Sequence, residues 1–499
     1  MQTPLPPNPQ IPEPFIPNSL APALLSAYGF SFLSQLCDLL FYIVLFKFLP
    51  LAGVGRFSWV MAVMVFVGLV LDMGISPALT REFSQHETSL WPVFWQSSRI
   101  RFPGFVLSLL LFAGWVLLRR PQFGLGAAVL LAGLQQVLHA FNTVFAAWLY
   151  AAERQPLANL VSAVFSAGRL CVSVGLLVVA GSTNVALLFA ALVAVEAFGL
   201  GLAWALSQRV APGSKARSQQ LDAECGELPG LRSRLKAVGL SFGAITVLAA
   251  VQNRLDWLLV SYFLSVEALA LYSMANKWYE VANNLVTLAL SSAFPWMCRE
   301  GGQCGPGMRV YFKCVLAGSA LIGLGGAVAG PEVLSLIWGQ KYAGSETAIR
   351  LLMLGTIPAT FGAIVYRFLI ADGSERFIVW VSAVATFIQV GLDVLLIPRW
   401  GIQGAVAGML ALVVAVAVLY AYGARHQLEA LGRYWALFPL LLAGGGFFII
   451  WSHLVLWGRA ALGLCLWVLT SGYPVYREGT AVFQSIGPKL GLANGQGVR

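Results

Sequence analysis

Charged residues are scarce in this chain of 499 residues. Asp, Glu, Lys and Arg together make up 10% of it, against about 25% in an ordinary soluble domain. Hydrophobic residues make up 59%. Because so few charges cannot cover a surface in water, most of the surface must face another medium. The composition therefore excludes a soluble globular protein and indicates a polytopic membrane protein.

Several signatures of enzymes and metal sites are also missing. The chain has no Gly-x-x-x-x-Gly-Lys-Ser/Thr loop, no His-Glu-x-x-His motif and no Cys/His spacing typical of metal binding. Its seven cysteines are an odd number and do not suggest a disulfide framework. We therefore expect no catalytic residues, no metal and no cofactor. Because no nucleotide-binding loop is present, any transport by this chain would have to draw on an ion gradient, the membrane potential or the substrate's own gradient.

Apolar runs divide the chain into membrane spans. A hydrocarbon core needs about 20 apolar residues per helix. Fourteen spans are predicted, near residues 22–46, 57–79, 102–118, 123–151, 158–180, 184–206, 237–263, 268–296, 309–338, 347–371, 376–397, 402–423, 434–452 and 454–472. The first twenty residues contain seven prolines and no Lys or Arg, so a mobile tail is expected there and no cleavable signal peptide.

The basic residues predict the orientation. The net charge of +10 is scattered over short loops, which argues against nucleic-acid binding. Loops on the side of the N-terminus contain more than twice as many Lys and Arg residues as the opposite loops. Because basic loops stay in the cytoplasm, we expect both termini to be cytoplasmic. We expect the protein in the inner (cytoplasmic) membrane.

Two halves of the chain resemble each other. The sequence Val-Ser-Ala-Val at 161–164 recurs at 381–384, an offset of 220, and Phe57-Ser58 resembles Tyr272-Ser273. Polar positions repeat at the same offset of 220: they are Ser162, Ser166, Arg169 and Ser173 in span five, and Ser382, Thr386, Gln389 and Asp393 in span eleven. Each set lies on one helix face.

The repeat predicts an all-α protein with two parallel six-helix lobes around a central cavity, plus a C-terminal helix pair. The predicted segments are a Pro-rich tail (1–20), an N-lobe (21–206), a cytoplasmic linker (207–236), a C-lobe (237–424), spans thirteen and fourteen (434–472) and a cytoplasmic tail (473–499). The linker is the longest hydrophilic stretch of the chain.

Polar side chains form stripes inside the spans. Since polar groups are costly in hydrocarbon, they should face a cavity or a partner. The cations that could hold an anionic headgroup are Arg169, Arg254, Lys277 and Arg367. The carboxylates that could bind a coupling proton or sodium ion, or balance the cations, are Asp38, Asp256, Glu280 and Asp393. Further polar cavity candidates are Gln35, Asn142, Asn253, Asn276, Asn284 and Gln389.

A structural interpretation remains open for the same residues. Ser, Thr and Asn often bond between membrane helices without a transport role. Lys277 and Glu280 are three residues apart and can neutralise each other. His139 can be a packing histidine, Glu196 is ambiguous, and Asp72 near a helix end can reach lipid headgroups.

Several short motifs resemble the bacterial oligosaccharide (O-antigen type) flippases of the multidrug/oligosaccharidyl-lipid/polysaccharide exporter superfamily. The motifs are GVGRFSW at 53–59, LDMGISPALTRE at 71–82, NRLD at 253–256, ALYSMA at 270–275, Phe-Pro at 294–295 and LIPRWGIQGA at 396–405. Together they cover roughly residues 22–425. One departure is Arg56-Phe57, where that family usually has a small or aromatic pair.

The resemblance implies two six-helix lobes and alternating access. It also implies a polyprenyl-pyrophosphate-linked oligosaccharide as substrate, moved from the inner to the outer leaflet for surface polysaccharide biosynthesis. Such a protein would act as a monomer, with a polysaccharide polymerase and a chain-length regulator as partners. The alternatives are a cation-coupled multidrug exporter of the same superfamily and a membrane polysaccharide polymerase. The polymerase is disfavoured because no large loop outside the membrane is apparent.

Overall fold

A computed structural model describes residues 20–72, 75, 79, 83, 90–119, 126–152, 154–210, 231–299, 306–425, 456–468, 470 and 475. The predicted Pro-rich tail, most of the linker, span thirteen and most of the C-terminal tail lie outside these residues. The predicted segment boundaries that fall there stay predictions.

The described residues form helices, and no strand occurs among them. The long helices are α1 (Leu20–Phe48), α2 (Leu51–Asp72), α3 (Leu90–Arg119), α4 (Gly126–Ala151), α5 (Gln155–Ser173), α6 (Val185–Val210), α7 (Leu231–Phe263), α8 (Val266–Arg299), α9 (Pro306–Trp338), α10 (Glu346–Ala371), α11 (Glu375–Trp400) and α12 (Ile402–Gly423). A π-helical turn, Val174–Val179, continues α5, and a 3₁₀ segment, Gly339–Ser345, joins α9 to α10. The shorter α13 (Leu456–Trp467) lies in the predicted span fourteen.

The protein is a multi-pass membrane protein. Eight segments of the described chain are long and apolar enough to cross a membrane, by length and composition. Helices α3, α7 and α8 are not among these eight segments. The all-helical fold class is confirmed, and the total of fourteen spans stays a prediction.

Helix α3 contains the predicted span three and extends beyond it at its N-terminal end. Helix α3 begins at Leu90, twelve residues before the predicted start at 102, and Pro103 lies inside it. The charged residues before Pro103 suggested a loop, but Arg101 is buried and pairs with Asp72 at 2.8 Å. Asp72 therefore binds a neighbouring helix instead of reaching lipid headgroups.

The two lobes repeat one packing scheme. In the N-lobe, α1 packs on α5, α2 packs on α4, and both α4 and α5 pack on α6. In the C-lobe, α7 packs on α11, α8 on α10, and both α10 and α11 on α12. Each contact recurs six helices later, an even number, so the two lobes run in the same direction. Helix α13 packs on α9, outside this scheme, with Trp467 Nε1 donating to the Ala317 carbonyl at 2.7 Å.

The lobes meet where α2 contacts α7 and α8. Ser58 Oγ donates to Ser273 Oγ at 3.0 Å, and both side chains are buried. Ser58 and Ser273 occupy equivalent positions in the two repeats, Phe57-Ser58 and Tyr272-Ser273. Equivalent residues contact each other on a twofold axis. The pseudo-twofold axis of the protein therefore passes beside this hydrogen bond.

One end of the cleft between the lobes is closed by a group of contacts that we call the clamp. Lys341 Nζ donates to the carbonyls of Phe46, at 2.6 Å, and Leu49, at the C-terminal end of α1. Tyr342 donates its hydroxyl to the Phe46 carbonyl at 2.9 Å. Beside them, a Cβ atom on Gly55 would lie only 1.9 Å from the Val266 carbonyl oxygen. A glycine is therefore required for the lobes to approach so closely.

The contact on the pseudo-twofold axis can be tested by cross-linking. Ser58→Cys combined with Ser273→Cys, in a background without the native cysteines, should form a disulfide under mild oxidation. The reason is that the serine oxygens lie 3.0 Å apart. Both thiols should then resist labelling with a maleimide until the protein is reduced. Each single cysteine variant is the control and should keep its thiol; equal labelling of the double variant before and after oxidation contradicts the contact.

Candidate functional site

The N-lobe pairs its charges between α1 and α5. Arg169 forms an ion pair with Asp38, and its guanidinium lies over the Phe165 ring, 4.6 Å from the centroid. One turn away, the hydroxyls of Ser34 and Ser166 are 2.8 Å apart. The Arg169–Asp38 pair carries no net charge.

The C-lobe repeats these contacts between α7 and α11. Gln252 Nε2 donates to the Ser382 carbonyl at 3.0 Å and to Thr386 Oγ1 at 2.9 Å. Ser382 and Thr386 are the repeat equivalents of Ser162 and Ser166, both of which Ser34 contacts. Gln252 is therefore the equivalent of Ser34.

The same alignment makes Asp256 the equivalent of Asp38. Gln252 follows Ser34 by 218 positions, and Asp256 follows Asp38 by the same 218. In this alignment the two lobes differ at two equivalent positions of α5 and α11. Gln389 occupies the position of Arg169, and Asp393 occupies the position of Ser173. The C-lobe has lost a cation and gained a carboxylate at this site.

The carboxylates of the C-lobe are deeply buried. Asp256 is 1% exposed and accepts hydrogen bonds from the Tyr272 hydroxyl and, at 2.8 Å, from the Trp257 backbone N–H. Asp393 is also 1% exposed, and neither of its carboxylate oxygens has a donor among the described residues. A Cβ atom on Gly408 would lie 1.9 Å from Asp393 Oδ1, so the absence of a side chain there leaves the carboxyl its space.

This arrangement requires a positive partner. An ionised carboxylate without hydrogen-bond donors is strongly disfavoured away from water. No ion pair within the described part of the chain includes Asp256 or Asp393. Gln389, beside them, donates to the Gln252 carbonyl at 3.2 Å, while its own side-chain oxygen has no partner. The site can hold a proton or a small cation.

A second cluster lies between the lobes and carries a net positive charge. Glu280 accepts hydrogen bonds from Arg254, at 2.6 Å, and from Lys277. Arg254 lies over the Trp257 ring, 4.4 Å from its centroid. Lys277 Nζ lies 3.9 Å from the centroid of Tyr42, a residue of the opposite lobe. Two cations share one carboxylate, so the cluster of Arg254, Lys277 and Glu280 has one excess positive charge.

The cluster borders a small cavity of about 30 Å³ between the lobes. Tyr42, Phe57 and Ser58 line it on the N-lobe side, and Arg254, Trp257 and Lys277 line it on the C-lobe side. This cavity lies beside the pseudo-twofold contact of Ser58 with Ser273. A charged group of a ligand in the cleft would meet both lobes here.

Arg367, the fourth predicted cation, lies apart from this cluster. It is partly exposed on α10 and donates to the Ala363 carbonyl of its own helix at 3.0 Å. None of the ion pairs within the described part of the chain includes Arg367. Arg367 can therefore bind an anion without first breaking an ion pair with a carboxylate.

The polar candidates occupy varied environments. Gln35 is half-buried, and Asn253 and Asn284 are exposed. Asn142 and Asn276 each have a buried side-chain oxygen without a hydrogen-bond donor among the described residues. Asn253 donates to the Ala249 carbonyl in its own helix at 2.7 Å. The roles of all predicted site residues stay predictions.

Some functional residues were missed in the sequence. Gln252 and Tyr272 were absent from the predicted site, although both contact it. Gln252 precedes Asp256 by one helical turn, so alignment of the repeats through Ser34 would have found it. Lys341 was also missed, because a lysine in a loop carries no signal of a contact with a distant helix end.

The fold defines a class of multi-pass membrane proteins with two six-helix lobes. A family described as "Polysaccharide biosynthesis protein" matches residues 25–300, more than half of the chain. The chain belongs to this family. The placement that the motifs suggested, within the multidrug/oligosaccharidyl-lipid/polysaccharide exporter superfamily, is confirmed.

Solved structures share the fold at low sequence identity. The lipid II flippase MurJ in an inward closed conformation aligns with a TM-score of 0.64 and 11% identity, over 92% of this chain and 99% of MurJ. An inward-facing multidrug resistance MATE family transporter aligns with a TM-score of 0.54 and 15% identity, over 82% and 98%. The eukaryotic MATE transporter AtDTX14 aligns at 0.53 and 13%, over 86% and 97%. No curated protein matches the chain.

The charges of the interlobe cluster predict which of its substitutions destabilises the protein more. Glu280→Gln should destabilise the protein by about 2 kcal/mol or more, because two neighbouring cations lose their shared carboxylate. Lys277→Gln should cost less, because the Arg254–Glu280 pair remains. Thermal unfolding of the purified protein in detergent measures the difference. The matched control is Glu332→Gln, which removes a more exposed glutamate with a longer ion pair; a larger loss for Lys277→Gln than for Glu280→Gln contradicts the assignment.

Proposed function

We propose that this protein is a flippase for polyprenyl-pyrophosphate-linked oligosaccharides. It moves them from the inner to the outer leaflet of the cytoplasmic membrane of a bacterium by alternating access, for surface polysaccharide biosynthesis. The observation that carries the proposal is the cluster of Arg254, Lys277 and Glu280. Its excess positive charge lies between the lobes of a cleft that the clamp closes at one end.

The chemistry of the cleft suits such a substrate. The pyrophosphate carries negative charge on several oxygens, and Arg and Lys side chains donate to such groups. Arg254 and Lys277 receive it between the lobes, and Arg367 offers another cation. The exposed amides of Asn253 and Asn284 face the sugars. The polyprenyl tail stays in the bilayer through the gap between the lobes.

The orientation follows from the basic loops. With both termini in the cytoplasm, the clamp lies at the outer end of the cleft, where α1 ends and α2 begins. A cleft that is closed at its outer end can receive a substrate from the inner leaflet. We propose that it works as a monomer beside a polysaccharide polymerase and a chain-length regulator.

The driving ion binds at Asp256 and Asp393 in this proposal. Both carboxyls are buried, and Asp393 has no donor among the described residues. A proton or a sodium ion supplies the missing positive partner. Glu280 and Asp38 already bind cationic side chains, so they balance charge and do not bind the driving ion.

Depletion of the protein in its own bacterium tests the transported substrate. We expect the lipid-linked oligosaccharide to accumulate in the inner leaflet and surface polysaccharide to be lost. Measuring which leaflet holds the intermediate, with a sugar-binding probe outside intact spheroplasts, separates a flipping defect from a synthesis defect. Normal surface polysaccharide after clean deletion, in a strain without a second flippase gene, contradicts the proposal.

A cation-coupled multidrug exporter is the second candidate, favoured by the structural likeness to MATE family transporters. The cleft of such an exporter would bind organic cations. The excess positive charge beside Tyr42 and Trp257 opposes that ligand. Increased drug susceptibility of the deletion strain, with unchanged surface polysaccharide, would favour the exporter.

Substitution of Asp393 tests the ion site. Asp393→Asn should reduce transport driven by an imposed sodium or pH gradient by about tenfold or more, because a neutral amide can neither release a proton nor balance a cation. The two gradients are imposed separately on proteoliposomes, which identifies the ion. Ser173→Asn, which places the same amide at the repeat-equivalent position in the N-lobe without removing a charge, is the control and should keep its gradient dependence. Full gradient dependence of Asp393→Asn contradicts the site.

A further inference from the structure

A buried hydrogen-bond donor beside the interlobe cavity lacks an acceptor. Trp257 lies on α7 and is 2% exposed. Its indole Nε1–H has no hydrogen-bond partner among the described residues. A buried tryptophan N–H usually finds an acceptor, because an unpaired donor away from water is costly. The indole N–H of Trp257 is therefore available to an acceptor that the chain itself does not supply within its described part.

Other buried indole nitrogens differ from that of Trp257. Trp467 Nε1 donates to the Ala317 carbonyl at 2.7 Å. Trp148 Nε1 has no acceptor among the described residues, but Trp148 is only half-buried as a side chain and does not line the interlobe cavity. Trp257 combines near-complete burial, an unpaired N–H and a place in the wall of the cavity.

The position of the indole is fixed by its neighbours. The backbone N–H of Trp257 donates to Asp256 Oδ1 at 2.8 Å. The guanidinium of Arg254 lies 4.4 Å from the centroid of the indole ring, and Arg254 is itself held by Glu280 at 2.6 Å. A donor that is already positioned loses less freedom when its ligand binds, so more of the hydrogen bond contributes to affinity.

The cavity that Trp257 lines is rich in donors. Arg254 and Lys277 line it as well, and none of the described residues in its wall is acidic. Indole, guanidinium and ammonium groups donate hydrogen bonds and accept none. Glu280 neutralises only one of the two cations. An anion with several acceptor atoms satisfies all three donors, whereas an organic cation satisfies none of them.

The size of the cavity indicates which part of such an anion enters it. Its volume of about 30 Å³ is enough for about two water-sized atoms. Two oxygens of one phosphoryl group are atoms of this size. Phosphoryl oxygens also form short, strong hydrogen bonds with charged donors, and they leave room for a neutral donor beside them.

We propose that the indole N–H of Trp257 is a specificity-determining donor to a phosphoryl oxygen bound between the lobes. The ligand class is a phosphate or pyrophosphate, either free or as the headgroup of a lipid. Arg254 and Lys277 attract negative charge, and Trp257 adds a directional bond that only a correctly placed acceptor can use. This inference rests on the proposed function and adds to it a neutral residue that contacts the same group of the substrate.

Nuclear magnetic resonance of the full-length protein in phosphatidylcholine nanodiscs tests the contact. Tryptophan is labelled with ¹⁵N at the indole, and the Trp257 signal is assigned by its absence in Trp257→Phe. Polyprenyl pyrophosphate should shift this signal, because a hydrogen bond to a charged oxygen deshields the indole proton. Polyprenol, which has the same chain without phosphate, should not. The Trp467 signal is the internal control, since its N–H already has an acceptor.

Equilibrium binding measures what the contact contributes. Trp257→Phe keeps an aromatic ring beside Arg254 and should bind polyprenyl pyrophosphate about tenfold more weakly, as expected for the loss of one hydrogen bond to a charged group. Trp467→Phe is the matched control and should bind like the unmodified protein. Inorganic pyrophosphate is titrated in parallel to identify the source of the ligand. A shift of the Trp257 signal with both compounds supports recognition of the phosphate alone, and a shift with the lipid alone supports recognition of a lipid headgroup.

The possible failures are distinguishable. If the unmodified protein binds polyprenyl pyrophosphate but the Trp257 signal does not move, the indole binds water only, and this inference is overturned while the proposed function stands. Equal binding by Trp257→Phe and the unmodified protein has the same meaning. Absence of binding by the unmodified protein overturns both. The signal of the unmodified protein decides the question even if Trp257→Phe does not fold, because the indole signals that move can be compared with that of Trp467→Phe.

Discussion

The cost of charge inside the membrane is the constraint on which this structure depends. Each charged group at membrane depth needs a partner, and the two lobes meet this need differently although their helices pack alike. The N-lobe joins Arg169 to Asp38 within one helix pair. The C-lobe places Gln389 where the arginine would be and directs its cations towards Glu280, between the lobes. A shared architecture thus carries an asymmetric distribution of charge.

This asymmetry assigns different tasks to the two lobes. The N-lobe supplies the aromatic face of Tyr42 and the helix end that Lys341 holds. In the proposed function, the excess cation of the C-lobe binds the anionic group of the substrate, and its two buried carboxyls bind the driving ion. Lys277 touches Tyr42 across the cleft, so an anion that draws Lys277 away would also break a contact between the lobes. In the proposed function, Lys277 would therefore link substrate binding to separation of the lobes.

Much of the architecture was predictable because hydrophobic runs and repeats act over short distances in the sequence. The offset of 220 aligned Ser162 with Ser382, and the structure gives both carbonyls equivalent hydrogen bonds. The Lys277–Glu280 pair followed from helical spacing alone. In contrast, Arg254 pairs with Glu280 and not with its sequence neighbour Asp256, because the helix directs the two side chains differently.

Contacts between segments far apart in the chain could not be predicted from the sequence. Lys341 and Phe46 are 295 residues apart, and no local pattern links a loop lysine to the last carbonyls of a helix. Helix α3 begins twelve residues before the predicted span three, and a buried partner for Arg101 could not be foreseen from the sequence. Likewise, nothing in the apolar stretch around Tyr272 indicated that it contacts the site, yet its hydroxyl donates to Asp256.

In the proposed function, the C-lobe cluster, and not the neutral N-lobe pair, recognises the anionic group of the substrate. Equilibrium binding of a polyprenyl pyrophosphate to the purified protein tests it most directly. The account predicts about tenfold weaker binding for Lys277→Gln, since the excess cation is lost, and little change for Arg169→Gln. Equal binding by Lys277→Gln and the unmodified protein, or a greater loss for Arg169→Gln, would contradict it.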